Sequence, residues 1–538
     1  MIRQKIQELI GHPEAQIERP ESEKFGDYST SVALKLAKKE GRNPIEFAQE
    51  MAQKIKNPML AKVEAVAPGF VNFTLSEEFL NGQVKEILKA GKKYGQSALG
   101  GSALGGKIQV EFISANPTGP LTLGNGRGGF FGDVLANVLT AAGYSVKREY
   151  LINDAGFQVE VLGHSVLKDE RAQYKGEHID KLNKKLVCWL CSKDPKKIGQ
   201  KAARYILKNL IKPTISERMK IKFDVWISEQ KIKKSGRPEK ILKTLREKNL
   251  IYEQDGATWF KSTEFGDDKD RVLITSAKDG RGQAETYLLP DIAYHHKKFA
   301  EDKFDKVINV WGADHHGYVA RLQAAGKALG EWDEQKLKII IMQLVRLFEN
   351  GQEVKMSKRA GTYITLDELL DEIPLDVARW FFLTRSADTH MDFNLDLAKE
   401  QSDKNPVYYA QYAYARICSI LRKTSEGGSP PLGGVRGDVE FNYSIAQPLN
   451  HPAELGLIKQ LIRLPEIVED TAKDYQVHRL PQYALDLVRA FHKFYEKCKV
   501  LDENDKEKTQ VRLGLVEATK IILANTLTLM GISAPEKM

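Results

Sequence analysis

The clearest pattern of hydrophobic and polar positions begins just after residue 106. Ile108, Val110 and Phe112 alternate with their neighbours, which is typical of a strand. A loop rich in proline and glycine follows at residues 116–120. Apolar side chains then return at helical spacing, at Phe131, Leu135, Val138, Leu139 and Ala142. Gly143 stands where glycine commonly ends a helix. The segment is therefore predicted to be a strand, a glycine-bearing turn and a helix, which make half of a nucleotide-binding unit.

Three further apolar runs, at residues 146–152, 307–311 and 338–342, predict more strands of the same sheet. The run at 307–311 precedes the polar residues 312–317, as expected for a buried parallel strand with chemistry at its carboxyl end. Asn350 and Gly351 predict a tight turn. The spacing of Thr365 and Glu368 predicts a capping box at a helix start. These patterns indicate an α/β core of the Rossmann type with a parallel sheet.

The flanking segments have different patterns. Residues 1–92 combine helical periodicity with a strand at 70–75 and predict a small α+β domain. The sequence SALGG, repeated in tandem at 97–106, predicts a flexible joint. The core is predicted at 107–375, with a helical, lysine-rich insertion at about 164–280. Residues 376–538 are predicted to form an all-helical domain.

Composition narrows the class of protein. The chain has 538 residues with 81 Lys and Arg against 72 Asp and Glu, a net charge of +9 that is compatible with a polyanionic partner. No apolar run is long enough to span a bilayer, so we expect a soluble, cytoplasmic protein. Four cysteines do not make a disulfide framework. Cys188 and Cys191 form one CxxC, but zinc would need two further ligands, so no metal site is expected.

Two segments are candidates for phosphate binding. Backbone N–H groups at the start of the helix after the 116–120 loop lack internal partners, and the glycines nearby allow close approach. Such a turn also occurs for packing alone. Residues 355–361, KMSKRAG, place three cations and a hydroxyl on one short loop, which suits phosphate but is also typical of a solvated face. The presence of both segments favours phosphate binding.

Several motifs in a fixed order carry a resemblance to a known family. They are FGDYSTSVALKLAK at 25–38, INDAG at 152–156, LLPDIAYHHKKF at 288–299, NVWGADHHGY at 309–318, KMSKR at 355–359 and NPVYYAQYAYARI at 405–417. The chain resembles class I aminoacyl-tRNA synthetases, and among them the arginyl-tRNA synthetases, over nearly its whole length. The resemblance implies a tRNA-contacting N-terminal domain and a C-terminal anticodon-binding domain. The family's D-A-L-R motif stands here as DLVR at 486–489.

The resemblance also implies roles in ATP chemistry. Thr122 and Asn125 occupy the positions of the family's paired histidines and can donate hydrogen bonds without becoming cations. The implied catalytic residues are Thr122, Asn125, Lys355 and Lys358. The implied ATP-binding residues are Gly124, Gly126, Met356, Ser357, Lys358 and Arg359. A second interpretation is that Thr122 and Asn125 only cap the helix.

Arginine is a planar fork of five donors, so its site should be acidic. By resemblance the arginine-binding residues are Glu111, Asn116, Tyr287, Asp291 and His315. Tyr287 and Asp291 share one side of a helix if Pro290 lies in its first turn. Glu111 could otherwise be an ordinary exposed strand residue.

The implied tRNA-contacting residues are Phe25, Asp27, Tyr28, Tyr412 and Arg416, with core packing as an equal alternative for Phe25 and Tyr28. The resulting hypothesis is an arginine–tRNA ligase that uses L-arginine, its cognate tRNA and ATP with Mg²⁺, as a monomer without a dedicated protein metal site. The alternatives are a tRNA-binding paralogue without catalysis and a class I synthetase for another amino acid. The complete KMSKR motif and the retained acidic positions favour the enzyme.

Overall fold

The chain folds into two compact units. The computed structural model describes residues 1–96, 105–187, 193–276, 284–354, 364–426 and 447–538. One unit comprises Met1–Ser102, Tyr408–Lys473 and Arg479–Met538, and the other comprises Ala103–Val407 and Asp474–His478. Residues 376–407 thus belong to the unit that holds the core. The predicted domain boundaries, 1–92, 107–375 and 376–538, remain predictions. Within the described ranges, no helix is both long enough and apolar enough to cross a membrane.

The first unit begins with a small sheet covered by helices. In chain order its elements are α1 Ile2–Ile10, β1 Tyr28–Thr30, α2 Val32–Glu40, α3 Pro44–Lys54, β2 Leu60–Val66, β3 Phe70–Leu75 and α4 Glu77–Ala90. The strands pair antiparallel in the order β1-β3-β2. Asn43 begins α3 by accepting the N–H of Ile45, and Pro44 follows at the first helical position. The α+β prediction and the strand at 70–75 are confirmed.

A five-stranded parallel sheet lies at the centre of the second unit. Its first elements are β4 Lys107–Glu111, α5 Leu123–Ala141 and β5 Ser145–Ile152. The strand order is β11-β10-β4-β5-β6, so the chain builds outward from β4 on one side and later returns to its other side. Ligands of such sheets bind at the carboxyl ends of the strands where the order reverses. That point lies between β4 and β10. The predicted parallel sheet is confirmed.

Residues 157–274 form the insertion and one edge strand of the central sheet. Their elements are α6 Phe157–Leu167, α7 Glu177–Leu182, α8 Pro195–Ile206, β6 Val225–Ser228, α9 Glu229–Lys233, α10 Arg237–Glu247, β7 Ile251–Gln254, β8 Ala257–Phe260 and β9 Arg271–Ile274. β6 is the outer strand beside β5, and β7-β8-β9 is a separate antiparallel sheet. The prediction of a helical insertion is therefore wrong for its second half. Strands of four residues carry too few alternating positions to show a period of two.

The rest of the second unit completes the sheet and adds a small mixed one. Its elements are α11 Leu288–His296, β10 Lys306–Gly312, α12 Val319–Leu329, β11 Leu337–Met342, β12 Val345–Glu349, β13 Gln352–Val354, α13 Leu366–Glu372, α14 Leu375–Leu383, β14 Met391–Asn394 and α15 Leu395–Lys399. Asn350 and Gly351 both have positive φ and join β12 to β13, which confirms the predicted turn. Thr365 and Glu368 form the predicted capping box at the start of α13.

The C-terminal helices complete the first unit. They are α16 Pro406–Glu426, α17 Pro452–Leu461, α18 Leu464–Asp474, α19 Arg479–Lys497 and α20 Lys506–Leu529. Glu466 on α18 is buried and pairs with the Arg19 guanidinium at 2.8 Å, while Asp27 pairs with Lys459 of α17 at 2.7 Å. The prediction of an all-helical segment at 376–538 is wrong at β14 Met391–Asn394 and holds for the C-terminal helices among the described residues, which these ion pairs join to residues 1–96 in one unit.

Candidate active site

The first strand of the central sheet delivers a carboxylate to the point where the strand order reverses. Glu111 is the last residue of β4, and its side chain is 3% exposed. The next turn bends sharply, because Ile113 and Ser114 have φ values of 66° and 35°. Left-handed backbone at residues other than glycine is strained and is often found at functional sites. Glu111 is therefore a buried site residue rather than an exposed strand residue.

Neighbouring strands hold this bend in place. The Ser114 hydroxyl donates to Glu111 Oε1 at 3.2 Å and accepts the N–H of Leu151 at 3.1 Å. The Asn153 side chain donates to the Ser114 carbonyl oxygen at 2.7 Å. Asn153 belongs to the INDAG motif, so this motif supports the loop that begins at Glu111. Asn116 lies further along the loop and is exposed.

The start of α5 is closed by Thr122 and Asn125 together. Asn125 Oδ1 accepts the backbone N–H of Thr122 at 3.0 Å and its hydroxyl at 2.9 Å, and Thr122 Oγ1 accepts the N–H of Asn125 at 3.4 Å. This reciprocal arrangement is a capping box. The capping interpretation thus describes their geometry, and contact with phosphate remains a prediction for both residues. The box uses Asn125 Oδ1 and leaves its Nδ2 donor group for other contacts.

The two glycines of this turn differ in position. Gly124 is exposed, so its backbone can be approached by a ligand. Gly126 is buried, and its N–H donates to the Thr122 carbonyl at 3.0 Å. A Cβ at Gly126 would lie 2.7 Å from Leu366 Cδ1. The expectation that Gly126 contacts ATP is therefore corrected: glycine is needed there so that α13 can pack against α5.

The described residues that follow the KMSKR motif in the sequence pair with the start of α5. Lys355, Met356, Ser357, Lys358 and Arg359 lie outside the described residues, and their roles remain predictions. Immediately after them, Thr365 forms an isolated β-bridge with Thr122, and Leu366 N–H donates to the Leu121 carbonyl at 2.9 Å. Thr365 and Leu366, which come after the KMSKR motif in the sequence, thus pair with the start of α5.

A second carboxylate comes from α11. Pro290 lies in the first turn of this helix, where proline is tolerated, and Asp291 follows it. Burial raises the pKa of Asp291 to about 7, and the carboxylates of Glu229 and Glu111 contribute to the rise. Tyr287 immediately precedes the helix and is 50% exposed. Glu111 and Asp291 are therefore brought close enough for one charge to affect the other.

His315 is placed differently from these acids. It lies in the turn Ala313–Tyr318 that follows β10, is exposed, and its ring centroid is 5.7 Å from that of Trp311. Among the described contacts, neither His315 nor Asn116 hydrogen-bonds with Glu111 or Asp291. Their predicted roles in arginine binding remain predictions.

Beneath Glu111 lies a buried polar cluster that the sequence patterns did not reveal. It consists of Glu149, Tyr294, His295, Lys298 and Asn309, all buried. Lys298 Nζ donates to Glu111 Oε2 at 2.6 Å, and the Tyr294 hydroxyl contacts both Glu111 and Glu149. One signal was available: Asp291, Tyr294, His295 and Lys298 are spaced by three, four and seven residues, a polar stripe on one face of an otherwise buried helix.

The described residues assigned to tRNA contact fall into two groups. Phe25, Tyr412 and Arg416 are exposed and remain predictions, with Phe25 46% and Tyr412 44% accessible. Tyr28 is fully buried, and its hydroxyl donates to Glu466 Oε1 at 2.6 Å. Asp27 is also buried, pairs with Lys459, and accepts the N–H of Leu75. The expectation for Tyr28 and Asp27 is corrected, because neither side chain has a free surface for RNA.

No metal cluster of three or more His, Cys, Asp or Glu side chains occurs in the part of the chain that the structure describes. Cys188 and Cys191 lie outside that part.

The sheet order, the capped start of α5 and the pairing of Thr365 and Leu366 with that start define a class I aminoacyl-tRNA synthetase. Residues 1–75 match the profile of the arginyl tRNA synthetase N-terminal domain, 164–380 that of the class I (R) tRNA synthetase catalytic domain, and 410–538 that of the DALR anticodon binding domain. The chain belongs to the arginyl-tRNA synthetase family.

Full-length relatives agree with this assignment. The arginine–tRNA ligase of Bacillus subtilis is 44% identical over 98% of this chain and 95% of its own length, and that of Carboxydothermus hydrogenoformans is 44% identical over 97% and 94%. The solved structure of Thermus thermophilus arginyl-tRNA synthetase has a TM-score of 0.76 at 23% identity and covers 100% of both chains. At that identity the structural match supports the fold alone.

Proposed function

We propose that Glu111 and Asp291 bind arginine, while the start of α5 and residues 355–359 act on ATP, in the ligation of arginine to tRNA. A carboxylate oxygen of arginine attacks the α-phosphorus of ATP, and the bond to pyrophosphate breaks. A terminal ribose hydroxyl of tRNA then attacks the acyl carbon and expels AMP, with loss of the hydroxyl proton. The protein's contribution is to position these groups and to neutralise the charge that develops on phosphate.

The state of Asp291 is the observation that carries the arginine assignment. Its carboxyl is partly buried, the charges of two further acids help to raise its pKa, and among the described residues no Lys or Arg forms an ion pair with it. A buried carboxylate without a cation is unfavourable, as the raised pKa shows. A guanidinium would supply both the missing charge and directed hydrogen-bond donors. We infer that the substrate's guanidinium occupies this position, next to Tyr287.

ATP is assigned to the start of α5. α5 has 19 residues, and the exposed Gly124 is in its first turn, where N–H groups lack intrahelical partners and the helix dipole favours anions. Lys355, Lys358 and Arg359 are proposed to take the pyrophosphate. Mg²⁺ is proposed to enter bound to the phosphate oxygens of ATP, because it retains water and binds readily through substrate phosphates.

A pH series checks the assignment of Asp291. Its pKa is raised from 3.8 to about 7, so between these values the folded protein holds a proton that the unfolded chain releases. The free energy of unfolding therefore loses a contribution as pH rises through this window. We expect Asp291→Asn to be more stable than the parent at pH 8, with the advantage disappearing near pH 3, in denaturant unfolding. Equal stability of the two proteins at pH 8 would contradict the raised pKa of the Asp291 carboxyl.

The first unit is proposed to bind tRNA through exposed aromatic and cationic side chains, including Phe25, Tyr412 and Arg416. Tyr412 and Arg416 are one helical turn apart on α16 and are both exposed. Bases stack on aromatic rings and phosphates attract cations, so the pair suits single-stranded RNA. We also propose that the enzyme acts as a monomer in the cytoplasm. Light scattering of the purified chain tests whether it is a monomer.

Tyr412→Ala is expected to raise KM for tRNA by roughly 10-fold, because loss of one base–aromatic stack costs about 1–3 kcal/mol. KM for arginine and ATP should not change. The matched control is Phe70→Ala, which removes another exposed aromatic ring from the same unit. Aminoacylation kinetics over a range of tRNA concentrations measure the effect. If both variants change KM for tRNA equally, Tyr412 is not a specific contact.

A charging assay separates the enzyme from the paralogue without catalysis. The purified chain should attach arginine to tRNA in the presence of ATP and Mg²⁺ and should reject lysine, which lacks the fork. Binding of tRNA without charging would support the paralogue, and charging with another amino acid would support a different class I specificity.

A further inference from the structure

We propose that Lys298 is a positioning residue for arginine selection, which orients Glu111 and balances the charge of the buried pair Glu111 and Glu149. The inference rests on the proposed role of Glu111 in arginine binding. Lys298 is fully buried, so its side chain has no surface on which the substrate could bind directly.

The contacts of Lys298 define its position. Its side chain is buried, and Nζ lies 2.6 Å from Glu111 Oε2, 3.4 Å from Asn309 Oδ1 and 4.0 Å from Glu149 Oε1. Nζ also lies 4.0 Å from the centroid of the Tyr294 ring. An ammonium group has three protons, and this arrangement gives it carboxylate, amide and aromatic partners. Lys298, in the π-helical turn Lys297–Glu301 that follows α11, therefore contacts residues of three strands and of α11.

Tyr294 links the two buried carboxyl groups through a single hydroxyl. Its hydroxyl lies 3.1 Å from Glu111 Oε2 and also contacts Glu149 Oε1, but a phenol has only one proton to donate. Burial raises the pKa of Glu149, while the charge of Lys298 opposes the rise. The Tyr294 hydroxyl can therefore donate to only one of these two carboxyl oxygens at a time, and the Lys298 ammonium is the cation beside both groups.

The two oxygens of Glu111 then have different tasks. Oε2 accepts hydrogen bonds from Lys298 and Tyr294, both buried. Oε1 accepts one from Ser114, which lies in the strained bend leading toward the α5 start. A carboxylate oxygen can accept two hydrogen bonds, so Oε1 retains capacity for a donor of the substrate. Lys298 and Tyr294 thus set which oxygen Glu111 presents to arginine.

The same cluster reaches the second arginine carboxylate through backbone. His295 Nδ1 donates to the Asp291 carbonyl at 2.8 Å, which leaves Nε2 as the acceptor for Asn309 Nδ2 at 2.9 Å. Asn309 Oδ1 in turn accepts from Lys298. Burial lowers the pKa of His295 well below its usual value, in agreement with this neutral ring. The hydrogen bonds run in one consistent direction from Lys298 to the helix turn that carries Asp291.

A double-mutant cycle tests whether Lys298 acts through Glu111. Lys298→Met keeps most of the side-chain volume and removes the charge. We expect it to raise KM for arginine by roughly 10-fold or more in the parent protein, and by less than about 2-fold in a Glu111→Gln background, because contacting residues are energetically coupled. KM for ATP should stay unchanged in both backgrounds. The matched control is Lys297→Met, which removes the neighbouring lysine that pairs with Asp302.

The outcomes separate this inference from the assignment of Glu111. If Glu111→Gln alone leaves KM for arginine unchanged, the proposed role of Glu111 is wrong. If Glu111→Gln impairs arginine use but Lys298→Met behaves like Lys297→Met, only the positioning role of Lys298 is overturned. Equal effects of Lys298→Met in the two backgrounds would also overturn it, since a role through Glu111 requires coupling.

A second variant covers the case in which Lys298→Met does not fold. Removing the cation leaves two buried acids, and Lys298→Met with Glu149→Gln removes one of them while keeping an amide of the same shape. This pair is expected to fold and to recover part of the arginine affinity that Lys298→Met loses. Where only the pair folds, it is compared with Glu149→Gln alone. A KM for arginine equal in these two variants would contradict the positioning role of Lys298.

Discussion

Glu111→Gln and Asp291→Asn each lower kcat/KM for arginine by roughly 30- to 5000-fold, the range expected when one partner of a buried charge pair is removed at about 2–5 kcal/mol. Glu111 lies at the carboxyl end of β4 and Asp291 in the first turn of α11, and both are proposed to bind the guanidinium of arginine. KM for ATP should change little, since neither group is at the α5 start. ATP–pyrophosphate exchange with saturating tRNA measures both constants.

Stability must be followed in the same experiment, because the two substitutions act on it in opposite ways. Glu111→Gln leaves Lys298 buried without its carboxylate partner at 2.6 Å, which typically destabilises a fold by about 3–5 kcal/mol. Asp291→Asn removes a partly buried acid that has a raised pKa and no ion-pair partner among the described residues, and so should stabilise the protein at pH 8. Loss of arginine use in both variants, despite opposite changes in stability, would locate the effect in binding. Unaltered arginine kinetics in both would reject the proposed site.

Asn125→Ala is expected to slow adenylate formation by roughly 100- to 1000-fold, the usual effect of removing one donor aimed at developing charge. The capping box occupies Asn125 Oδ1 but not its Nδ2 group, so one side chain can cap α5 and still donate to phosphate. Alanine removes both functions. Single-turnover measurement of adenylate formation, together with thermal unfolding, reports on each function separately.

Asn125→Asp distinguishes capping from phosphate contact. Aspartate keeps an oxygen that accepts the Thr122 N–H and suits the helix N-terminus, but it lacks the N–H donor and brings a negative charge toward the triphosphate. We expect this variant to be at least as stable as the parent and as slow as Asn125→Ala. If Asn125→Asp forms adenylate at the parental rate, Asn125 serves α5 only as a capping residue. Asn125→Ser, which caps the helix but reaches less far, should form adenylate at a rate between those of the parent and Asn125→Ala.

The sequence predictions that depended on neighbouring residues in the chain were correct. The hairpin at Asn350 and Gly351 and the capping box at Thr365 depend on residues adjacent in the chain, and both were found as predicted. The position of Pro290 in a first turn was likewise a local condition that α11 satisfies. Asn125 is a different case, because asparagine suits both the capping of α5 and hydrogen-bond donation to phosphate. The sequence alone does not distinguish these two roles.

The errors arose where contacts join distant parts of the chain. Tyr28 is buried because Glu466, 438 residues later, accepts its hydroxyl proton in a hydrogen bond. β6 was missed because an edge strand of four residues has no pattern of its own and forms only by pairing with β5. Gly126 was predicted to contact ATP because the sequence did not show that it packs against Leu366, which belongs to a helix far along the chain.

The sequence by itself determined the family, the parallel α/β core and the helical C-terminal part, and it indicated the acids proposed to bind arginine, because these depend on periodicity, turn chemistry and motifs that are local. Tertiary structure alone decided the state of those acids. Glu111 is paired with Lys298, and its carboxyl and that of Glu149 contact the same Tyr294 hydroxyl, whereas Asp291 is partly buried, and its pKa is raised to about 7. Burial and the distance between charges set the protonation and orientation of a carboxylate, and both are properties of packing between elements that the chain order does not contain.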